Sequence, residues 1–366
     1  MERAYKYRMY PNKEQQILIQ KTFGCVRFVY NYYLNKRIEI YESSKEIFSY
    51  GNCCKDLTSL KKELIWLKEP DKDALQKTLK DLDIAYKKFF NEHAGYPNYK
   101  SKKNNYKSYR TSCTHNNIKY LGNKIQLPKL GLVKVRDKQV PQGRILNATI
   151  SQDRCGNYYV SLCCTDVNIL SLTKTYKNIG IDLGLIDYAI YSDGSKISNP
   201  KFYEQSEKKL VKLQREMTRK SRGSSNYNKA RIKYAKMHKH ITNQKQDFLN
   251  KLTNDIVKTY DIICIEGIMT YDLRTSTSHV HNKHLNDVFW SQFRRQLEYK
   301  CRWYGKDLRI LNRYYPSSQI CHVCGCNSGK KKLDVRLWIC PNCKSILDRD
   351  VNAAINILNE GLKQIA

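Results

Sequence analysis

Two cysteine pairs constrain the folding of this chain more than any other feature. Cys321-His-Val-Cys324 is followed, after fifteen residues, by Cys340-Pro-Asn-Cys343. Paired knuckles at that separation lie in the range of zinc sites. Four thiolates leave no open coordination position, so one structural Zn2+ is expected, held by Cys321, Cys324, Cys340 and Cys343. Cys326 and His322 fit as ligands less well by spacing. Lys330, Lys331, Lys332 and Arg336 fall between the pairs, so the small ribbon carries positive charge and is expected to touch nucleic acid.

Three acidic residues stand at the ends of apolar runs on either side of this segment. Asn178-Ile-Gly-Ile-Asp182 and Asp261-Ile-Ile-Cys-Ile-Glu266 read as strands that end in a carboxylate. Asp350 opens a helix-like run, Asp348-Arg-Asp350-Val-Asn-Ala-Ala-Ile-Asn-Ile-Leu358. Carboxylates at element ends suit hard divalent cations, and two such ions about 3.5–4 Å apart can cut a phosphodiester. Gly180 and Gly184 beside Asp182 allow close backbone approach. Two Mg2+ ions, with Mn2+ as the alternative, are the expected cofactors. His115, His238, His240, His279, His281 and His284 form no convincing metal pattern, and no Gly-x4-Gly-Lys-Ser/Thr loop for nucleotide hydrolysis is present.

Charge identifies the substrate class. Lys and Arg number 66 against 34 Asp and Glu, a net +32 that no fold requires and that favours polyanions. Between Gly95 and Arg110 tyrosines interleave with lysines without periodicity, as in a segment where cations meet phosphates and rings stack on bases. Lys100, Lys102, Lys103, Tyr106 and Arg110 are the expected contacts there, with Arg222 in the basic stretch further on. Fourteen cysteines would suit a secreted disulfide scaffold. The opening Met1-Glu-Arg-Ala-Tyr-Lys-Tyr is no apolar leader, however, and no run approaches the roughly 20 apolar residues of a membrane span. The expectation is an intracellular, cytoplasmic and nucleoid-associated protein, not secreted and without a membrane partner.

Periodicity gives the organisation. Tyr5, Tyr7 and Met9 alternate with Lys6 and Arg8 as in a half-buried strand. Asn12 and Gln15 read as a capping box that starts a helix. A second helix is expected from about Asp73 to Asn91. Residues 113–165 look β-rich, with hairpins at Gly122-Asn123 and Cys155-Gly156-Asn157, and the N-terminal strand is expected to join that sheet. A further hairpin turns at Ser192-Asp193-Gly194. A long basic helical stretch runs from Glu204 to Lys258 with a break at Arg222–Asn226. A helix from Leu285 to Gly305 carries Trp290, Phe293, Leu297 and Trp303, and a strand follows at Leu308–Asn312.

Taken as a set, these residues resemble the TnpB (OrfB) proteins of insertion-sequence transposons, compact relatives of type V CRISPR nucleases. The marks are Tyr10-Pro11, Thr22-Phe-Gly-Cys25-Val-Arg27-Phe-Val-Tyr-Asn31 and Tyr96-Pro-Asn-Tyr-Lys100-Ser-Lys-Lys103. They continue with Gly180-Ile-Asp182-Leu-Gly184, Lys229-Ala-Arg231 with His238 and Asn243, then Glu266, Trp290 and Phe293. Tyr315-Pro-Ser-Ser-Gln319-Ile-Cys321 and Asp348-Arg-Asp350-Val-Asn-Ala-Ala354 match best. The resemblance implies an α/β multidomain protein. Its RuvC-type, RNase H-like nuclease core would occupy 176–315 and 345–366, with the zinc ribbon, 316–344, inserted. A β-barrel-like wedge would be built from 1–11 and 95–175, with a helical recognition insertion at 12–94. Asp182, Glu266 and Asp350 would be the catalytic metal ligands. Arg231 would contact nucleic acid and Arg336 the scissile strand. A transposon-derived guide RNA, one protein per RNA, would direct cutting of double-stranded DNA beside a short adjacent motif, base pairing reading most of the sequence.

Two positions depart from the family pattern: Gly267 stands where an acidic residue usually follows the catalytic Glu, and Leu347 where His often precedes Asp-Arg-Asp. Neither removes a ligand. Nuclease-dead relatives that act as RNA-guided regulators lose one or more of the trio, which is intact here. A transposase of the tyrosine class would need a Tyr beside a His-x-His metal pair, and no such arrangement stands out.

Overall fold

The computed structural model describes residues 1–104, 106–136, 139–267, 288–332 and 334–364. It divides into two compact units, Met1–Asn168 and Ile169–Ala366. Residues 169–175, assigned by sequence to the wedge, therefore belong to the second unit. His279, His281, His284 and the start of the helix expected from Leu285 lie outside the described residues.

In the first unit β1 (Arg3–Tyr10) buries Tyr5, Tyr7 and Met9, as its alternation requires. Asn12 then caps α1 (Lys13–Ser44): Gln15 N–H donates to Asn12 Oδ1 at 2.8 Å, and Asn12 N–H to Gln15 Oε1 at 3.0 Å. Two further helices follow, α2 (Tyr50–Glu63) and α3 (Lys72–Asn91), and the first of these had no sequence expectation. The strands β2 (Lys107–Ser112), β3 (Lys119–Leu121), β4 (Lys124–Leu127), β5 (Gly131–Arg136), β6 (Arg144–Gln152) and β7 (Tyr158–Thr165) complete an antiparallel sheet. Its order is β2-β6-β7-β1-β5-β4-β3, so the N-terminal strand sits at its centre. Among the described residues β2 and β3 stand at the two ends of that order. The segment read as aperiodic up to Arg110 already contains β2, which buries Tyr109 and Thr111 against β6.

The second unit is built on a mixed sheet of β8 (Asn178–Asp182), β9 (Asp187–Tyr191), β10 (Lys196–Ser198), β11 (Ile262–Ile265) and β12 (Asp307–Ile310), in the order β10-β9-β8-β11-β12. β11 runs parallel to both β8 and β12. The basic stretch folds as α4 (Phe202–Thr218) and α5 (Ser225–Thr259), broken where Arg222–Asn226 predicted. After α6 (Trp290–Tyr304) come the ribbon strands β13 (Leu337–Ile339) and β14 (Ile346–Asp348), then α7 (Arg349–Lys363). Successive strand residues face opposite sides. Ile179 and Ile181 of β8 and Ile263 and Ile265 of β11 pack with Leu249, Ile256 and Val257 of α5 and Phe293 and Leu297 of α6. The opposite face offers Gly180 and Cys264, and α7 covers it with Ile357 and Leu358.

A buried ion pair ties the segment that leads into β8 to the residue before β11. Asp261 accepts the backbone N–H groups of Thr175 at 2.8 Å and Tyr176 at 2.6 Å. It is also paired with Lys306, whose side chain is 1% exposed and which donates to Thr173 O at 3.0 Å. The ammonium holds the Asp261 carboxyl at about 2. A depressed carboxylate contributes stability that is present above its unfolded value near 4 and is lost as pH falls toward 2. Asp261→Ala leaves Lys306 buried without its counter-ion and is expected to cost about 3 kcal/mol at pH 7. Thermal melts across pH check this, because the deficit against the unaltered protein should shrink as pH drops from 4 to 2.

Candidate active site

β8 and β11 lie side by side with Ile181 opposite Ile265, so Asp182 and Glu266 follow at the same level of adjacent parallel strands. Alternation turns both carboxylates to the face occupied by α7, since Asp182 shares the parity of Gly180 and Glu266 that of Cys264. α7 approaches closely because two glycines permit it. A Cβ on Gly180 would strike Ala354 O and lie 2.7 Å from Leu358 N, and one on Gly361 would strike Cys264 Sγ. Gly267 has the same kind of explanation: a Cβ there would strike Leu311 O, so the acidic residue common at this position has no room.

Asp350 comes to the site from the first turn of α7. Asp348 caps that helix, its Oδ1 accepting from Asp350 N–H at 2.9 Å and Val351 N–H at 3.0 Å, while Lys196 pairs with its other oxygen at 2.7 Å. Burial works against ionisation of Asp348, yet Lys196 and the two helix N–H groups outweigh it and lower its pKa. Asp350 itself accepts from Arg336 Nη1 at 2.8 Å.

Glu266 and Asp350 both act electrostatically on Asp182. Asp182 is raised to about 7, first by burial and then by the charges of Glu266 and Asp350. Burial also raises Glu266. A buried carboxylate whose ionisation is opposed by two neighbouring acids has the chemistry of a cation site, since a divalent cation removes the repulsion that a proton otherwise relieves.

The four knuckle cysteines converge as their spacing predicts, with all four sulfurs within 4.8 Å of one another. Cys321 and Cys343 lie 3.7 Å apart and Cys324 and Cys340 3.6 Å apart. A tetrahedral ion with Zn–S of about 2.3 Å requires roughly 3.8 Å between sulfurs, so the donor set fits zinc. Among the described residues these thiols are the one group of potential ligands gathered so tightly; the carboxylates are more widely spaced.

The expected nucleic-acid contacts fall into two groups. Lys100 is exposed, yet its Nζ lies 3.9 Å from the Tyr30 ring centroid and its backbone is paired with Asn31. Arg110 pairs with Asp81 at 2.6 Å, and Arg336 with Asp350. Lys102, Lys103, Tyr106 and Arg222 are exposed, and Arg231 on α5 is half-buried. Of the ribbon cations, Lys331 turns inward, 3.6 Å from the Trp338 ring centroid, and donates to Ser318 O and Ser328 Oγ. Two site residues had no sequence-assigned role, Asn352 and Asn356. The signal that could have found them is a pair of amides one turn apart on an otherwise apolar helical face.

Among the described residues no helix is long and apolar enough to cross a membrane. Three family models match the chain: "Helix-turn-helix domain" over residues 1–46, "Probable transposase" over 161–277 and "Cas12f1-like, TNB domain" over 290–357. In this structure residues 1–46 form one strand and one long helix, not two helices about a turn. A Streptomyces pristinaespiralis protein provisionally named an RNA-guided DNA endonuclease is 38% identical over 99% of this chain and 90% of its own length. An Escherichia coli protein with the same provisional name, InsQ, is 30% identical over 98% of this chain and 92% of its own. Among solved structures, the Cas12f1 chain of a Cas12f1–sgRNA–target DNA complex superposes with a TM-score of 0.59 at 13% identity, covering 98% of this chain and 99% of that one. At that identity the likeness concerns the fold, a mixed α/β architecture.

Proposed function

The chain belongs to the TnpB (OrfB) family of RNA-guided DNA endonucleases, and from that premise we propose that it cuts double-stranded DNA at sites chosen by a bound guide RNA, with Asp182, Glu266 and Asp350 as the catalytic carboxylates. One observation carries the assignment: three acids from distant segments meet on one face of the sheet, and two of them raise the pKa of the third. We read the second unit as a RuvC-type core interrupted by a zinc ribbon. In the first we read a wedge sheet, 1–11 and 95–168, with the helices of 12–94 inserted.

Two Mg2+ ions, or Mn2+, bound by the three carboxylates would supply an activated water and stabilise the leaving oxygen. The protein's part is to hold those carboxylates in place. β8 and β11 fix Asp182 and Glu266 at one level, and the Asp348 cap fixes the backbone of Asp350. Arg336 sits against Asp350 with its side chain 47% exposed, placed to meet a phosphate of the scissile strand as it arrives. Lys102, Lys103, Tyr106 and Arg222 are exposed to hold RNA or heteroduplex backbone, with one protein per RNA and the transposon end as the source of the guide.

The test is to express the protein with its flanking genomic DNA, sequence the RNA that co-purifies, and offer the complex a plasmid library with randomised flanks in Mg2+. A discrete RNA and cuts beside one flank motif are expected. A discrete RNA with guided binding and no cleavage would replace the nuclease with a regulator.

A further inference from the structure

Asn352 and Asn356 stand one turn apart on α7, within two turns of Asp350, and are 1% and 4% exposed. Buried amides must find partners. All of theirs lie around Cys321, the first zinc ligand. Asn352 Nδ2 donates to Ile320 O at 2.7 Å. Its Oδ1 accepts from His322 N–H at 2.9 Å and lies 3.0 Å from His322 Nδ1. Asn356 Nδ2 donates to Ser317 O at 2.8 Å and to Ile320 O at 2.7 Å. The backbone on both sides of Cys321 is thus bonded to the helix whose first turn carries Asp350. On its sheet side the same helix is seated by Gly180 and Gly361.

Directional bonds do what apolar contacts cannot. Apolar side chains tolerate a helix sliding by an ångström, whereas hydrogen bonds weaken steeply with distance and angle, so these amides set the helix in one register. We propose that Asn352 and Asn356 are positioning residues that transmit the geometry of the cysteine knuckle to Asp350, so that the ribbon governs how tightly the three carboxylates hold divalent cations. The proposal rests on the assignment of those carboxylates as metal ligands. Neither asparagine touches the reacting groups, and each acts through α7.

The test uses full-length protein with its co-purified RNA. Asn352→Leu and Asn356→Leu keep the approximate volume and remove the amide bonds. Zinc content is measured by elemental analysis, Mn2+ binding by electron paramagnetic resonance, and cleavage across a Mg2+ titration. The expected result is zinc retained at the unaltered level and half-saturating Mn2+ and Mg2+ raised tenfold or more. Cleavage at saturating Mg2+ should return to within a few-fold of the unaltered protein, in at least the variant that folds. Half-saturation within twofold in both variants would overturn the coupling, as would metal weakening that tracks loss of zinc and of melting temperature. Asp182→Ala is the reference: if the unaltered protein binds Mn2+ no better than Asp182→Ala, the carboxylate assignment itself has failed, whereas normal binding in both Leu variants defeats only the positioning role.

Discussion

Asp182→Asn is expected to reduce guided DNA cleavage by on the order of a thousandfold or more while making the metal-free protein more stable. The two effects share one cause. Asp182, at the end of β8, has its pKa raised to about 7 by burial and by Glu266 and Asp350. A raised carboxylate holds its proton more tightly in the folded than in the unfolded chain, so folding stability declines as pH climbs from about 4 to about 7. Removing the charge removes that decline, a gain on the order of 1–3 kcal/mol at pH 7.5 after allowing for partial solvent screening. For a unit of this size each kcal/mol moves the melting temperature by about 2–4 °C. Mg2+ should reverse the order, stabilising the unaltered protein and leaving Asp182→Asn nearly unmoved. Below pH 7 protons compete for the same oxygens, so the half-saturating Mg2+ for cleavage should rise toward tenfold per pH unit and level off above 7. Guided DNA binding, measured by gel shift, should stay within a few-fold. Cleavage within tenfold of the unaltered enzyme, or a metal-free variant less stable than its parent, would remove Asp182 from the site.

The site was legible in fragments, because its local signals are strong and its assembly is not local. The acids at the ends of Asn178–Asp182 and Asp261–Glu266, and the run opened by Asp350, could be read from short apolar stretches. That they face one another depends on Ile181 pairing with Ile265 and on α7 reaching the Gly180 face, and neither contact leaves a trace in sequence periodicity. The capping box at Asn12, the Gly122-Asn123 hairpin and the Tyr5, Tyr7, Met9 alternation are complete within a few residues and were readable for that reason. β2 was not, since Lys107-Ser-Tyr-Arg-Thr-Ser112 buries only Tyr109 and Thr111, and polar neighbours hide the alternation until β6 pairs with it. α2 escaped because only Cys53, Leu57 and Leu60 of its residues are buried, too thin a stripe to stand out. Nothing near Lys100 or Arg110 in the chain announces their partners Tyr30 and Asp81, so those contacts were not legible.

Cys340→Ser should dissolve the ribbon and silence cleavage while the sheet beneath it stays folded. The ribbon's buried cluster is Cys321, Trp338, Cys340 and Leu347, so half of it consists of cysteines from the proposed zinc set. Such a core cannot hold the segment together by apolar burial, and the metal has to supply the folding energy, of order 10–16 kcal/mol for structural zinc near neutral pH. A thiolate replaced by a hydroxyl weakens that site drastically. The consequences should follow the contacts. Trp338 loses its packing, and Arg349 N–H loses Arg336 O, to which it now donates at 2.8 Å. β14 frays, and Asp348 no longer caps α7 in a fixed place. The second unit's main core, from Ile179 to Cys301, includes none of these residues, and its melting temperature should move by no more than a few degrees. Elemental analysis should find zinc below a tenth of the unaltered content. Hydrogen exchange should show protection lost across 316–348 and kept in β8 and β11. Cleavage should fall at least a hundredfold, since Asp350 then stands on an unanchored helix end. Full zinc content with unchanged exchange in the ribbon would show that the four thiols are not its ligands. Intact cleavage from a zinc-free, unfolded ribbon would show that Asp350 is held by the sheet alone.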